Sequence, residues 1–323
     1  MKRFALLLLL SVSLFAQEKP VVISGLAFGD YYVVPSHHDE RVEGMNGFWI
    51  RRGYLTVDRA LSDELFARIR FELNQAGDFR TNATLEPYVK DAFIRWRRSP
   101  ALELYIGLSP SPAIETVERV WGYRSVEKTV LDLHRVIATR DLGIAAAGTY
   151  GRVKYQAQIG NGSATGTETN EGKKVAASMS LAPTAATLVD VYADFEDRPG
   201  ATNRTTLQGI GAIQTERYRI ALQYGLQFRD QQDDFDAISL FGSYNLSPRW
   251  ALLGRVDRAD ANPEGDRIPY VQLDPARAST MFLAGADWKL HKNLSIIPNV
   301  MLFAYEDGGE DDLFGKVTFS FSF

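Results

Sequence analysis

The chain has 323 residues, 45% of them hydrophobic and 24% charged, with no cysteine and a formal net charge of -4 from 36 basic and 40 acidic side chains. That composition excludes a disordered chain, a disulfide scaffold, a cysteine-held zinc domain and thiol catalysis. The acidic balance also argues against a surface built to grip nucleic acid, and a mean hydropathy of -0.18 is too low for a bundle of membrane helices.

At the N-terminus, Lys2 and Arg3 precede an apolar run over 4–15 that ends in Ala16 before Gln17. A charged start, a short apolar stretch and a small residue at its end form the pattern of a cleaved secretory signal. A membrane anchor is the weaker reading, because the run falls short of the roughly 20 residues a spanning helix needs. The expected division is a signal peptide over 1–16, cut after Ala16, and a single domain over 17–323.

Beyond Ala16 the hydrophobic pattern has period two. Over 64–74, Leu65, Ala67, Ile69, Phe71 and Leu73 oppose Glu64, Arg68, Arg70, Glu72 and Asn74. The segments 152–160 and 217–228 repeat the pattern, and 313–323 ends the chain with Val317, Phe319, Phe321 and Phe323 against Lys316, Thr318, Ser320 and Ser322. Candidate strands in chain order are 21–31, 47–59, 64–74, 86–97, 101–109, 140–150, 152–160 and 173–182, then 185–195, 204–214, 217–228, 236–246, 249–259, 279–290, 294–305 and 313–323.

The connections discriminate between a soluble sandwich and a membrane barrel. Tight turns at 61–63, 98–100, 150–151, 183–184, 216, 247–248 and 291–293 alternate with longer polar connections at 32–46, 75–85, 110–139, 161–172, 196–203, 229–235, 260–278 and 306–312. A sandwich has no reason for strict alternation. A barrel with short periplasmic turns and long extracellular loops does, and an even strand number follows when both ends are periplasmic. The predicted fold is therefore an all-β transmembrane antiparallel barrel of 16 strands in the outer membrane of a Gram-negative-type bacterium, in contact with lipid and lipopolysaccharide. Phe319, Phe321 and Phe323 look like the C-terminal signal read by the barrel assembly machinery.

Several short motifs over 48–162 carry a family resemblance: Phe48-Trp49-Ile50-Arg51-Arg52-Gly53-Tyr54-Leu55, Val89-Lys90-Asp91-Ala92-Phe93-Ile94-Arg95-Trp96 and Leu104-Tyr105-Ile106-Gly107. Arg140-Asp141-Leu142-Gly143-Ile144 and Gln158-Ile159-Gly160-Asn161-Gly162 continue the series. In this order they resemble the phosphate-selective porin O and P family. The resemblance implies a homotrimer of 16-stranded barrels whose third long loop folds inward. Phosphate-specific members carry a lysine and a phenylalanine after the strand that ends at Gly107. This chain has Leu108-Ser109-Pro110-Ser111-Pro112 instead, so the resemblance supports the fold more than phosphate specificity.

With Leu55 and Val57 facing lipid, Arg52, Arg68 and Arg70 point into the lumen, and Arg95 is expected to join them on a fourth strand whose register is unclean. Permanent charge and five fixed donors suit arginine to attracting anions. The competing role is a scaffold of ion pairs with Asp58, Glu72 and Asp91. Confident inward positions give eleven cations and nine anions, a small excess. The loop over 110–139 is the expected constriction, with Arg119, Arg124, Lys128 and Arg135 balancing Glu115, Glu118, Glu127 and Asp132, and with Val117, Val120, Trp121 and Val130 as anchors. A surface lid or a trimer contact is the alternative.

The expected function is a water-filled channel for small hydrophilic solutes, with phosphate or other anion preference left open. No cofactor or metal is expected. In His37-His38-Asp39-Glu40, adjacent histidines of an extended chain point apart, and a solvated loop is the stronger reading; the same holds for the acidic run 306–312. A barrel enzyme of the phospholipase or protease type is a rival, but His37, His38, His134 and His291 sit in no recognisable nucleophile constellation. A plugged structural or adhesive barrel is the other.

Overall fold

The computed structural model describes residues 19–263 and 265–323; the signal peptide expected over 1–16 lies outside them. Its first five strands are β1 (Val21–Ser36), β2 (Asn46–Ala60), β3 (Leu65–Asn74), β4 (Glu86–Ser99) and β5 (Leu102–Pro110). Two short helices follow in the long connection, α1 (Glu115–Trp121) and α2 (Val130–Leu133). The chain then continues through β6 (Arg140–Tyr150), β7 (Val153–Gly160), β8 (Lys174–Leu181), β9 (Thr187–Glu196), β10 (Arg204–Gln214) and β11 (Tyr218–Arg229). It ends with β12 (Phe235–Ser247), β13 (Trp250–Ala259), β14 (Ser279–His291), β15 (Leu294–Tyr305) and β16 (Asp312–Ser322).

Each strand pairs antiparallel with its sequence neighbours, and β16 pairs with β1 to close the barrel. Closure leaves no sheet edge, which satisfies the backbone of a structure that meets lipid. The strand bounds follow the alternation closely. The largest difference is β1, which runs on through Tyr32 and Val34 because those side chains are buried inside the barrel.

The faces are inverted relative to a soluble sheet. Ile106, Ile144 and Ile159 on β5, β6 and β7 are 59–65% exposed on the outer wall. Ile220, Leu240, Leu252 and Val300 continue the apolar surface across β11, β12, β13 and β15. A patch encircling the molecule far exceeds what a soluble monomer exposes, and lipid is the solvent that makes it stable. Trp250 and Trp288 stack on this face with ring centroids 5.6 Å apart beside the short-turn end, where amphipathic rings mark a membrane interface. At the seam, Gly25 and Phe323 exchange backbone hydrogen bonds of 3.0 Å.

A closed barrel of this kind should be heat-modifiable and β-rich. The purified protein is expected to migrate differently on gels before and after boiling and to give a β-type circular dichroism spectrum. Identical migration with a helical spectrum would contradict the fold.

Candidate functional site

The third long connection folds into the lumen. α1 packs on β11 and α2 on β12, and their apolar residues face a wall that is itself apolar. Val117, Val120 and Trp121 join Phe241 and Leu253 in one cluster, and Ile114, Val130 and Leu131 join Tyr192, Phe235 and Ala237 in another. The Trp121 and Phe241 rings lie 5.3 Å apart, edge to face. All four expected anchors are buried, so the loop is neither an outer lid nor an outer-surface contact.

Polar bonds fix its height. Gln208 Nε2 donates to Ala113 O at 2.9 Å, Gln227 Nε2 donates to Val136 O at 3.1 Å, and Arg255 donates to Lys128 O. Gly122 ends α1 in the left-handed region at φ 71° and returns its N–H to Glu118 O, a C-cap that favours glycine. Gly225 on β11 leaves room for the Leu131 side chain, which any Cβ there would strike.

With the loop occupying the side of β8 to β13, the open lumen is displaced toward β2 to β7. It is a cavity of about 1040 Å³ that reaches from the short-turn end, at Pro100 and Thr149, to Lys90, Arg124 and Arg140. Arg68, Arg70 and Arg95 line it, with Arg119, Arg124, Glu115 and Glu118 on the loop side. Arg52 points inward but pairs with Glu72, and its side chain is only 13% exposed; it belongs to the wall behind the cavity. Lys128 and Arg135 also lie off the lining: Lys128 stands 4.0 Å from Asp132, and Arg135 reaches Asp266 at 2.7 Å.

Sequence reasoning missed Arg51, Lys90, Arg97 and Arg140. Two bulges explain the first two. The β1–β2 register slips between Phe28 and Gly29, which turns Arg51 inward beside Arg52. The β3–β4 register slips between Arg70 and Phe71, which turns both Lys90 and Asp91 inward. Consecutive charges in a strand that meets lipid, as in Arg51-Arg52 and Lys90-Asp91, are the signal: strict alternation would put one of each pair in hydrocarbon. Arg51 is 3% exposed and pairs with the fully buried Asp30 at 2.6 Å.

Three groups of ion pairs share one stoichiometry, two cations to one carboxylate. Glu72 is shared by Arg52 and Lys90, Asp91 by Arg70 and Arg140, and Glu103 by Arg95 and Arg97. Glu72 and Asp91 have no exposure, and their cation partners offset the cost of burying a carboxylate there. Two cations per carboxylate leave each group with a surplus positive charge. Arg68 pairs one to one with Asp58, through two bonds of 2.7 Å. Arg124 bonds Glu118 at 2.8 Å and Asp132 at 3.2 Å, while Arg119 is exposed on α1 with no ion-pair partner among the described residues.

Among the described residues, nine cations and four carboxylates line the cavity. The whole-lumen balance was nearly even because acidic residues such as Asp190, Asp194 and Asp257 lie elsewhere on the wall. Scaffold and field are thus one arrangement: the carboxylates hold the arginines in place and are outnumbered by them.

The long-loop end corrects the reading of His37 and His38. The chain bends after Ser36, so the rings stack with centroids 4.4 Å apart, and His37 is fully buried. His37 Nε2 lies 3.0 Å from Val271 O, and its Nδ1 accepts the Asp39 N–H. His38 Nδ1 bonds Asp312, which is buried at the start of β16 and not part of a solvated acidic loop. Both His37 nitrogens are therefore engaged without a metal. His134 is buried against Phe235. No histidine bonds a serine or threonine hydroxyl among the described residues.

Asp39 ties three connections together, accepting from Arg41 at 2.9 Å, Arg80 at 2.7 Å and Arg267 at 3.2 Å. The Arg41 hydrogen bonds, followed by that of Arg80, hold its carboxyl well below the ordinary 3.8. A depressed folded value means the stabilisation is complete above 3.8 and disappears as pH falls through the depressed value. The mouth should consequently stay intact from neutral pH down to about pH 4 and loosen only in stronger acid. Asp39→Asn should weaken the loops at neutral pH by about 1–2 kcal/mol, seen as faster proteolysis at 75–85 and 260–278 with the barrel band unchanged.

Neither a family model nor a curated protein matches the chain. Solved structures do. An anion-selective porin from Comamonas acidovorans aligns with TM-score 0.71 at 12% identity, over 95% of this chain and all of that one. OmpF of Salmonella typhi, solved with daunomycin, aligns at 0.68 and 11% identity, over 95% and 99% of the two chains. The architecture is that of the outer-membrane porins. The outer-membrane channel DcaP of Acinetobacter baumannii also aligns, at TM-score 0.65 and 10% identity, over 95% of this chain and 98% of that one. At these identities the likeness establishes the fold, and charge selectivity has to be argued from this chain's own side chains.

Proposed function

We propose that this protein is an outer-membrane porin, a water-filled channel through which small hydrophilic solutes diffuse with a preference for anions. The observation that carries the reading is the excess of nine cations over four carboxylates around the open cavity. Charge of one sign in a narrow low-dielectric passage concentrates the opposite ion. The likeness to a porin described as anion-selective supports it. Among the described residues no histidine lines the cavity, and passive diffusion needs no cofactor.

The setting follows from the same reading. The short turns face the periplasm, the long loops and their acidic residues meet lipopolysaccharide, and Phe319, Phe321 and Phe323 address the chain to the barrel assembly machinery. A homotrimer is the expected assembly, in keeping with an aligned structure described as a trimer form, that of OmpT of Vibrio cholerae. Phosphate is one anion among several, because Leu108-Ser109-Pro110-Ser111-Pro112, at the end of β5 and just beyond it, carries no cation.

Reversal potential across a planar bilayer under a salt gradient tests the proposal. Chloride is expected to be more permeant than potassium, with the ratio rising as salt is lowered and screening weakens. Equal permeabilities at low salt would overturn the anion preference, and absence of conductance by a folded protein would overturn the channel.

A further inference from the structure

The cavity wall carries aromatic rings as well as cations, and the strand register sets them in alternation. Phe66 on β3 lies directly across from Arg95 on β4, which lies across from Tyr105 on β5. One inward row along, Arg68 on β3 lies across from Phe93 on β4. The rings form a continuous series, with centroids 6.3 Å apart from Phe66 to Phe93 and 5.4 Å from Phe93 to Tyr105. The guanidiniums sit over them: Arg95 is 4.7 Å and Arg68 5.7 Å from the Phe66 centroid. Beyond Phe93, the cross-strand positions on β5 and β6 are Gly107 and Gly143. Phe93 itself is buried at 8% exposure, so the faces open to the cavity are those of Phe66 and Tyr105.

We propose that this checkerboard makes the channel select, among anions, those with a planar apolar body, that is, aromatic carboxylates. The proposal rests on the anion-preferring channel and names its substrate class. A small hydrated anion uses only the donors, and for it the rings are a cost, since apolar surface in a water-filled passage is unfavourable. The rings brace the arginine stems, yet Phe66 and Tyr105 stay half-exposed to the cavity they line. An aromatic carboxylate uses both parts at once. Its carboxylate takes the edge of Arg68 or Arg95, and its ring lies against a guanidinium face or an aromatic neighbour. The alternation on two rows lets the ion exchange one arginine–ring pair for the next as it moves.

The test is block of the chloride current of the purified full-length channel by sodium benzoate, acetate, cyclohexanecarboxylate or phosphate. Benzoate is expected to reach half-block at a concentration roughly tenfold below acetate, as one stacking and one cation–π contact allow, with cyclohexanecarboxylate in between. Phe66→Leu with Phe93→Leu, which keeps apolar volume, should bring benzoate to the acetate value and leave the chloride-to-potassium ratio unchanged; the single variant Phe66→Leu serves if the pair fails to fold. Equal block by benzoate and acetate, phosphate blocking more tightly than benzoate, or an undiminished benzoate advantage in a folded leucine variant would overturn the proposal. The reversal potential without organic anions tests the underlying anion preference separately.

Discussion

Replacing Arg68, Arg70 and Arg95 together by glutamate should turn the channel from anion-preferring to cation-preferring. The lining then holds six cations and seven carboxylates in place of nine and four. The reversal potential should change sign at low salt and relax toward zero at high salt, since exposed charges are screened beyond about 10 Å at 0.1 M. Glutamine at the same three sites leaves six against four and should give a smaller shift in the same direction. Each carboxylate these positions leave behind keeps another cation or some water, so the barrel is expected to fold without them. Arg140 remains on Asp91, Arg97 remains on Glu103, and Asp58 keeps 19% of its side chain in water. Arg52→Glu is different, for position 52 lies off the cavity with a side chain only 13% exposed, and the new carboxylate would be buried beside Glu72, whose one remaining cation is Lys90. Leaving such a charge uncompensated costs about 3–5 kcal/mol, so that variant should lose barrel stability with little change in selectivity. A folded triple-glutamate channel with the parental reversal potential would assign these arginines to the scaffold alone.

Strand number and lipid-facing register were legible in the sequence because both follow from a period-two rule that lipid enforces. Ile220, Leu222 and Tyr224 outside, with Ala221 and Gln223 inside, leave no second register for β11. The bulges were hidden because a single extra residue breaks the rule locally. The clue was two adjacent charges, and its meaning depends on a neighbouring strand. The loop's destination was half legible. Val117 and Trp121 announce that the segment packs on something, but its receptor is set by inward positions on β12 and β13 such as Phe235, Phe241 and Leu253. Apolar residues facing the lumen are anomalous in a water-filled barrel and mark where a loop must lie. The same reasoning applies to 260–278, which reads as polar yet buries Ile268, Val271 and Leu273 and sends Tyr270 to the Arg51 carbonyl at 2.9 Å. Sharing of carboxylates could not be read at all, because Glu72 meets Lys90 and Asp91 meets Arg140 only across strands brought into register.

Deleting residues 111–131 should raise single-channel conductance severalfold while preserving the sign of the reversal potential. The segment carries α1 and half of α2, which fill the side of the lumen against β8 to β13. Residues 132–139 remain to join Pro110 to Arg140, which face each other across the β5–β6 ladder, so closure of the barrel is not at stake. A 16-stranded barrel is wide enough for an aqueous channel once its lumen is cleared. The deletion removes Arg119 and Arg124 together with Glu115 and Glu118, two charges of each sign, and leaves the wall with seven cations against two carboxylates. The wall excess is unchanged, whereas the passage is wider, so anion preference should persist at low salt and fade at a lower ionic strength than in the parent. The apolar wall at Phe241, Leu253 and Phe235 becomes wet, and the temperature at which the folded gel band disappears should drop. Unaltered conductance in a folded variant would show that the passage is limited elsewhere. A reversed sign would show that the loop, and not the arginine wall of β3 and β4, sets the preference.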